Sequence, residues 1–266
     1  MTDLSFALLG PVTARARGHI VTIGPPQRRC LLAVLLLAQR QAVPVAVLRE
    51  RLWAGAAPAS AVTAIQVHVH HLRRFLAAHA GTGADAPQVL AFPGHSRDQA
   101  SYALHTHPGA VDVHEVRRLT DLGRDLRRTG DSEGARRALR TAVELWHGEP
   151  LVDLATTPYL AAVRQGFADL HRDAREQLAT TELSLGAVGT ALPLVRQLLL
   201  DHPRDEGLVL RLCTALGRAG AADQALPLLD GALHRSRQQA PEHTAPPERL
   251  LHLRERLRSD GREAHR

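Results

Sequence analysis

The chain reads as a mainly α-helical protein in two parts, on three observations. Its first 110 residues carry short strand, helix and hairpin signals, and the remainder is almost wholly helical in pattern. A 34-residue repeat runs through that second part. Charge divides at the same place: residues 1–110 hold 10 Arg against 4 Asp and Glu, a net of +6, whereas residues 111–266 hold 23 of each sign. A basic module joined to a neutral one implies a polyanionic partner for the first, because clustered cations gain from counterion release on nucleic acid.

The composition narrows the class. Aromatic residues make up 3% of the 266, and the Ala- and Leu-rich mixture favours helix over sheet. There is no Lys, so all 33 basic side chains are Arg, the residue suited to bidentate phosphate and guanine contacts. Cys30 and Cys213 fall in helical apolar patterns and read as buried small hydrophobes rather than a disulfide or a metal site. The start, MTDLSFALLGP, lacks the basic flank and long apolar run of a signal peptide. The longest apolar run, Cys30 to Ala38, is too short to span a bilayer. These features are those of a soluble, cytoplasmic protein with no membrane partner.

Residues 4–12 and 19–23 read as strands, bounded by Gly10-Pro11 and by Gly18 and Gly24. Pro25-Pro26 suits a first helical turn, giving a helix from Arg28 to Gln41. Pro44 interrupts, and Val45 to Trp53 forms a second helix. After a loop at Gly55–Pro58, a third begins near Ser60 and runs to near Ala78. A loop at Gly81–Ala86 leads to two strands, Val89–Phe92 and Ser101–His105, around a turn holding Pro93, Gly94 and Asp98. Strands, three helices and a hairpin are the order of a winged helix-turn-helix with an N-terminal sheet. This domain is expected over residues 1–108, an all-α domain over 109–258, and a disordered tail over 259–266.

Helix breaks in the second part fall at Gly130-Asp131, His147–Pro150, Gly186, His202-Pro203, Gly220 and Pro241–Pro247. The stretch Gly186 to Leu194 is echoed 34 residues later from Gly220 to Leu228, and Leu199 by Leu233; a weaker copy starts at Gly130 with Ala135, Ala138 and Leu139. This period, with small residues where helices cross, predicts a tetratricopeptide-like helical repeat. Asp205-Glu206 reads as a helix first turn, where negative charge is favoured.

Helical geometry applied to the third helix puts Val62, Ile65, Val69, Leu72 and Leu76 on a core stripe. The opposite face carries Ser60, Thr63, Val67, His70, His71 and Arg74, with Gln66 and Arg73 on one flank. It holds no acid, as a surface facing phosphate requires. Arg73 and Arg74 can reach guanine edges or phosphate, Thr63 and Val67 can touch thymine methyls, and Gln66 can read adenine or bond a phosphate. Imidazoles on this face would make binding mildly acid-favoured. His68 and His71 share a face, but no nearby Cys, Asp or Glu completes a zinc site. The chain holds no phosphate-cradling glycine loop, nucleophile elbow or HExxH, so neither cofactor nor catalysis is expected.

Several segments, in order, carry a resemblance. They are Leu8-Leu9-Gly10-Pro11-Val12, Gly24 to Leu32, Leu48 to Trp53, Ala64 to Leu76, Tyr102-Ala-Leu104 with Ala110 to His114, Leu145 to Leu151, and His202 to Leu208. Together they resemble the Streptomyces antibiotic regulatory proteins, which join an OmpR-type winged helix-turn-helix to a bacterial transcriptional activator domain. The resemblance implies that Trp53 packs inward and that Ala64 to Leu76 is the recognition helix. It further implies a pathway-specific activator of a secondary-metabolite gene cluster. Such a protein binds direct repeats in double-stranded promoter DNA, usually as a homodimer, and recruits RNA polymerase holoenzyme. Three features depart from the family. Ser101 precedes Tyr102 where glycine is usual, and the wing is longer through Gly94–Ala100. There Arg97 either follows the minor groove or sits in a disordered loop. Leu216 and Leu228-Leu229 stand where aromatics are frequent. The alternative reading is an adaptor that keeps the fold and binds protein through its helical repeats.

Overall fold

A computed structural model of the chain describes residues 4–81, 86–96, 99–239 and 248–263. Packing divides it into two compact units, Met1–Arg118 with Glu144–Leu170, and Leu119–Val143 with His171–Arg266. A later stretch, residues 144–170, packs with the first unit.

In the first unit, β1 (Leu4–Ala7), β2 (Thr13–Ala16) and β3 (His19–Val21) form an antiparallel meander, with Phe6 opposite Ala14 and Ala14 opposite Val21. The strand expected over residues 4–12 therefore stops at Ala7, and β2 is an additional strand. The reason lies far along the chain. The amides of Leu8 and Leu9 donate to the Asp112 carboxylate at 2.8–2.9 Å instead of continuing a ladder. The reversal into β3 uses Arg17 and Gly18 at φ 50° and 82°.

Helix α1 (Pro26–Leu37) is shorter than expected, because Gln39 and Arg40 adopt φ 49° and 69° and turn the chain. The turn leads into β4 (Val43–Pro44), where the sequence showed only an interruption. Strands β5 (Gln88–Phe92) and β6 (Ser101–His105) form the expected hairpin, and β4 adds to it through Val43 opposite Tyr102, giving the order β4-β6-β5. Helix α2 spans Val45–Trp53 as read and ends at Ala54, φ 49°. Its core side chains are Leu48 and Leu52, while Trp53 is only half-buried. Helix α3 (Ala61–His79) buries Ala61, Ile65, Val69, Leu72, Phe75 and Leu76. Val62, expected in that stripe, lies on its half-buried flank. Leu31, Leu32, Leu35, Leu36, Leu48, Ile65 and Leu72 form the centre of this three-helix core.

Residues 144–170 complete the unit. The His147 amide donates to the Leu9 carbonyl at 2.9 Å and the Leu151 amide to Gly10 at 2.7 Å. Asp153 accepts from the Val12 amide at 2.8 Å and pairs with Arg29 at 2.6 Å. Thr157 donates to the Arg51 carbonyl, and the Arg51 guanidinium lies 4.4 Å from the Tyr159 ring centre. The LWHGEPL segment thus buttresses the β1–β2 turn.

Helices α4 (Asp112–Arg128) and α6 (Pro158–Ser184) contribute to both units; α5 (Ser132–Glu144) belongs almost wholly to the second, with α7 (Val188–Asp201), α8 (Glu206–Arg218), α9 (Ala222–Gln239) and α10 (Glu248–Glu263). The repeat is visible in the backbone. Gly130, Gly186 and Gly220 sit at φ 91°, 73° and 75° between successive helices. Five residues on from each, Ala135, Ala191 and Ala225 are fully buried. Leu199 and Leu233 are likewise buried. Asp205 caps α8, accepting from the Leu208 amide at 2.8 Å. Helix α10, anchored by Leu250, Leu253 and Leu257, continues to Glu263. The tail expected from residue 259 is therefore helical that far, since an apolar stripe holds the helix and no proline stops it. Among the described residues, no helix is long and apolar enough to cross a membrane.

Candidate nucleic-acid interface

Helix α3 buries one stripe in the three-helix core, which leaves its other face outward. Ser60, Thr63, Val67, His70, Arg73 and Arg74 are exposed, and Gln66 and His71 are half-exposed. Val67 is 47% exposed, an outward aliphatic side chain on a helix that contains no Asp or Glu. Sequence periodicity thus located these residues on one surface. Arg97 lies outside the described residues.

The two arginines differ. Arg73 Nε donates to the Val89 carbonyl of β5 at 3.1 Å, tying α3 to the hairpin. Arg74 makes no hydrogen bond or ion pair among the described residues and projects free. Phe92, at the far end of β5, is 45% exposed. The surface is therefore a helix face with a hairpin fixed beside it.

One contributor escaped the sequence reading. Arg28 of α1 donates to the Ile23 carbonyl at 3.1 Å, and its charge acts on both His68 and His71. Burial, then Arg28, hold both imidazoles below their ordinary value; His71 also feels His70 and Arg74. Arg28 Nε and His68 Nδ1 are buried without a hydrogen-bond partner. No local signal could reveal this, since the neighbours belong to different helices. Arg28 and Arg74 thus bring positive charge to bear on His71, which an approaching phosphate would offset.

Among the described residues, no group of three or more His, Cys, Asp or Glu side chains is placed to hold a metal. Cys30 and Cys213 are buried and free, and burial pushes their thiols up to about 11 and about 12. Both therefore stay protonated and unreactive.

A family model, the bacterial transcriptional activator domain, matches residues 111–258. The chain belongs to this family, within the Streptomyces antibiotic regulatory proteins. It is 29% identical over 224 residues to the regulatory protein DnrI of Streptomyces peucetius, covering 82% of this chain and 79% of DnrI. It is 30% identical to the regulatory protein AfsR of Streptomyces coelicolor, over 84% of this chain but only 21% of AfsR. The family is one of transcriptional regulators. A solved structure of Mycobacterium tuberculosis EmbR, in complex with a low-affinity phosphopeptide, matches with a TM-score of 0.80 at 24% identity, covering 100% of this chain and 70% of that one. The match shows the fold, a winged helix-turn-helix followed by an all-α domain.

Proposed function

We propose that this transcriptional regulator is a pathway-specific activator of a secondary-metabolite gene cluster. In this reading it binds direct repeats in double-stranded promoter DNA as a homodimer and recruits RNA polymerase holoenzyme. Helix α3 enters the major groove, with Ser60, Thr63, Gln66, Val67, His70, His71 and Arg74 toward the DNA. Arg73 holds the hairpin in place, and Arg97 extends the contact from the wing. The protein acts in the cytoplasm, at the nucleoid, without a cofactor.

The observation that carries the reading is the acid-free outer face of α3, with Val67 at 47% exposure beside an unpaired Arg74. A face of this kind suits base edges and phosphates. The +6 surplus confined to residues 1–110 supports it.

The test is a mobility-shift titration against the promoter of the adjacent biosynthetic genes. Sequence-specific retardation that weakens steeply with salt is expected. Val67→Glu, which sets a carboxylate among the phosphates on an already exposed side chain, should abolish it. No retardation at low salt would leave the protein an adaptor acting through its helical domain.

A further inference from the structure

The second unit holds a groove unrelated to the α3 surface. Arg127 of α4, Thr180 and Leu183 of α6, and Leu210, Arg211 and Arg218 of α8 line a space of about 490 Å³. Its lining contains no Asp or Glu. Elsewhere in this unit Arg124, Arg136, Arg140, Arg172, Arg175 and Arg254 each meet a carboxylate. Arg211 pairs with Glu176. Arg127, by contrast, donates only to the Thr180 hydroxyl at 3.1 Å, and Arg218 meets no acid among the described residues.

Shape adds to charge. The α8 side of the groove runs from Leu210 to Ala219, about 13 Å at the helical rise. An extended chain of roughly four residues has that length. Leu183 and Leu210 give the groove an apolar floor, and its hydroxyls can bond a backbone.

We propose that this groove binds an extended acidic peptide segment of a partner protein, with Arg127 and Arg218 receiving its carboxylates and Leu183 and Leu210 packing against its apolar side chains. Two unneutralised guanidiniums over an acid-free, elongated lining are complementary to such a segment.

The test uses the full chain and a short fluorescein-labelled peptide of alternating glutamate and leucine, read by fluorescence anisotropy at low salt. The acidic peptide should bind and its glutamine counterpart should not. Arg127→Gln with Arg218→Gln should weaken binding by about tenfold or more, whereas Arg137→Gln with Arg196→Gln, the same charge change on exposed surface of α5 and α7, should stay within about twofold. Thr214→Glu, which adds a carboxylate to the lining and removes no arginine, should also weaken it. Equal loss in the variant changed at Arg137 and Arg196, equal binding of the glutamine peptide, or displacement by inorganic phosphate at modest concentration would each overturn the proposal.

Discussion

The Arg29 guanidinium lies 2.6 Å from the Asp153 carboxylate, joining residues 124 apart in sequence, with both side chains 23% exposed. The other Asp153 oxygen accepts the Val12 amide at 2.8 Å. One carboxylate therefore serves a cation and a backbone donor in a half-buried setting. Asp153→Ala should cost about 2–3 kcal/mol, because it strands both partners. Urea unfolding followed by circular dichroism measures this, and an unchanged midpoint would refute it. Asp153→Asn, which can still accept from Val12, should cost less.

Arg74 and Arg73 should separate in DNA binding. Arg74→Ala is expected to weaken binding to the specific site by about 1–3 kcal/mol, with a smaller loss on scrambled DNA. Arg73→Ala loses its tether to Val89, so its effect should fall on wing contacts and be similar on both sequences. Anisotropy titrations of each variant on both DNAs distinguish the two patterns.

Proton linkage should appear in the same assay. In the free protein, His68 and His71 are held below their ordinary value by burial and then Arg28. A DNA phosphate would raise them, so the complex takes up protons. Affinity should then strengthen as pH falls from about 7.5 to about 5.5, and His71→Gln should flatten the slope. A pH-independent affinity in the parent protein would exclude the contact.

Acid should unfold the protein over a defined window. Burial, then Arg117, lowers His114 to about 4, and burial lowers His171 to about 4. Their ordinary value is 6.5. Between those limits the unfolded chain binds more protons, so stability is full above 6.5 and declines as pH drops toward 4. Melting temperatures across that range should show the decline, and His114→Gln should lessen it.

Gly123 of α4 is buried against α5: a Cβ there would lie 2.5 Å from Leu139 Cγ. Gly123→Ala gains about 1 kcal/mol of helix propensity but forces α4 and α5 apart, at a cost of about 1–3 kcal/mol. Net destabilisation, read by thermal unfolding, is expected. A stabilised variant would mean that the crossing yields easily.

Local signals explain what could be read in the sequence. Helix α2 and the β5–β6 hairpin were legible because Pro44 marks one start and apolar runs flank Pro93-Gly94. The helical repeat was legible because glycine and alanine recur at fixed offsets where helices touch. β2 and β4 were not, since Thr13–Ala16 lacks an apolar run and Val43–Pro44 is a strand only because Tyr102 lies beside it. The outer face of α3 followed from its period. Arg73's bond to Val89 and Arg28's approach to His71 did not, because each depends on a neighbour from another element.

The amides of Leu8, Leu9 and Val12 all end on carboxylates supplied from beyond residue 110, at Asp112 and Asp153. A recombinant fragment stopping at residue 108 would carry those donors into water beside Leu8 and Leu9, which are fully buried in the intact chain. Hybrid regulators assembled from two relatives therefore need their junction placed past residue 170, so that each front half keeps the acids that finish its own first turn.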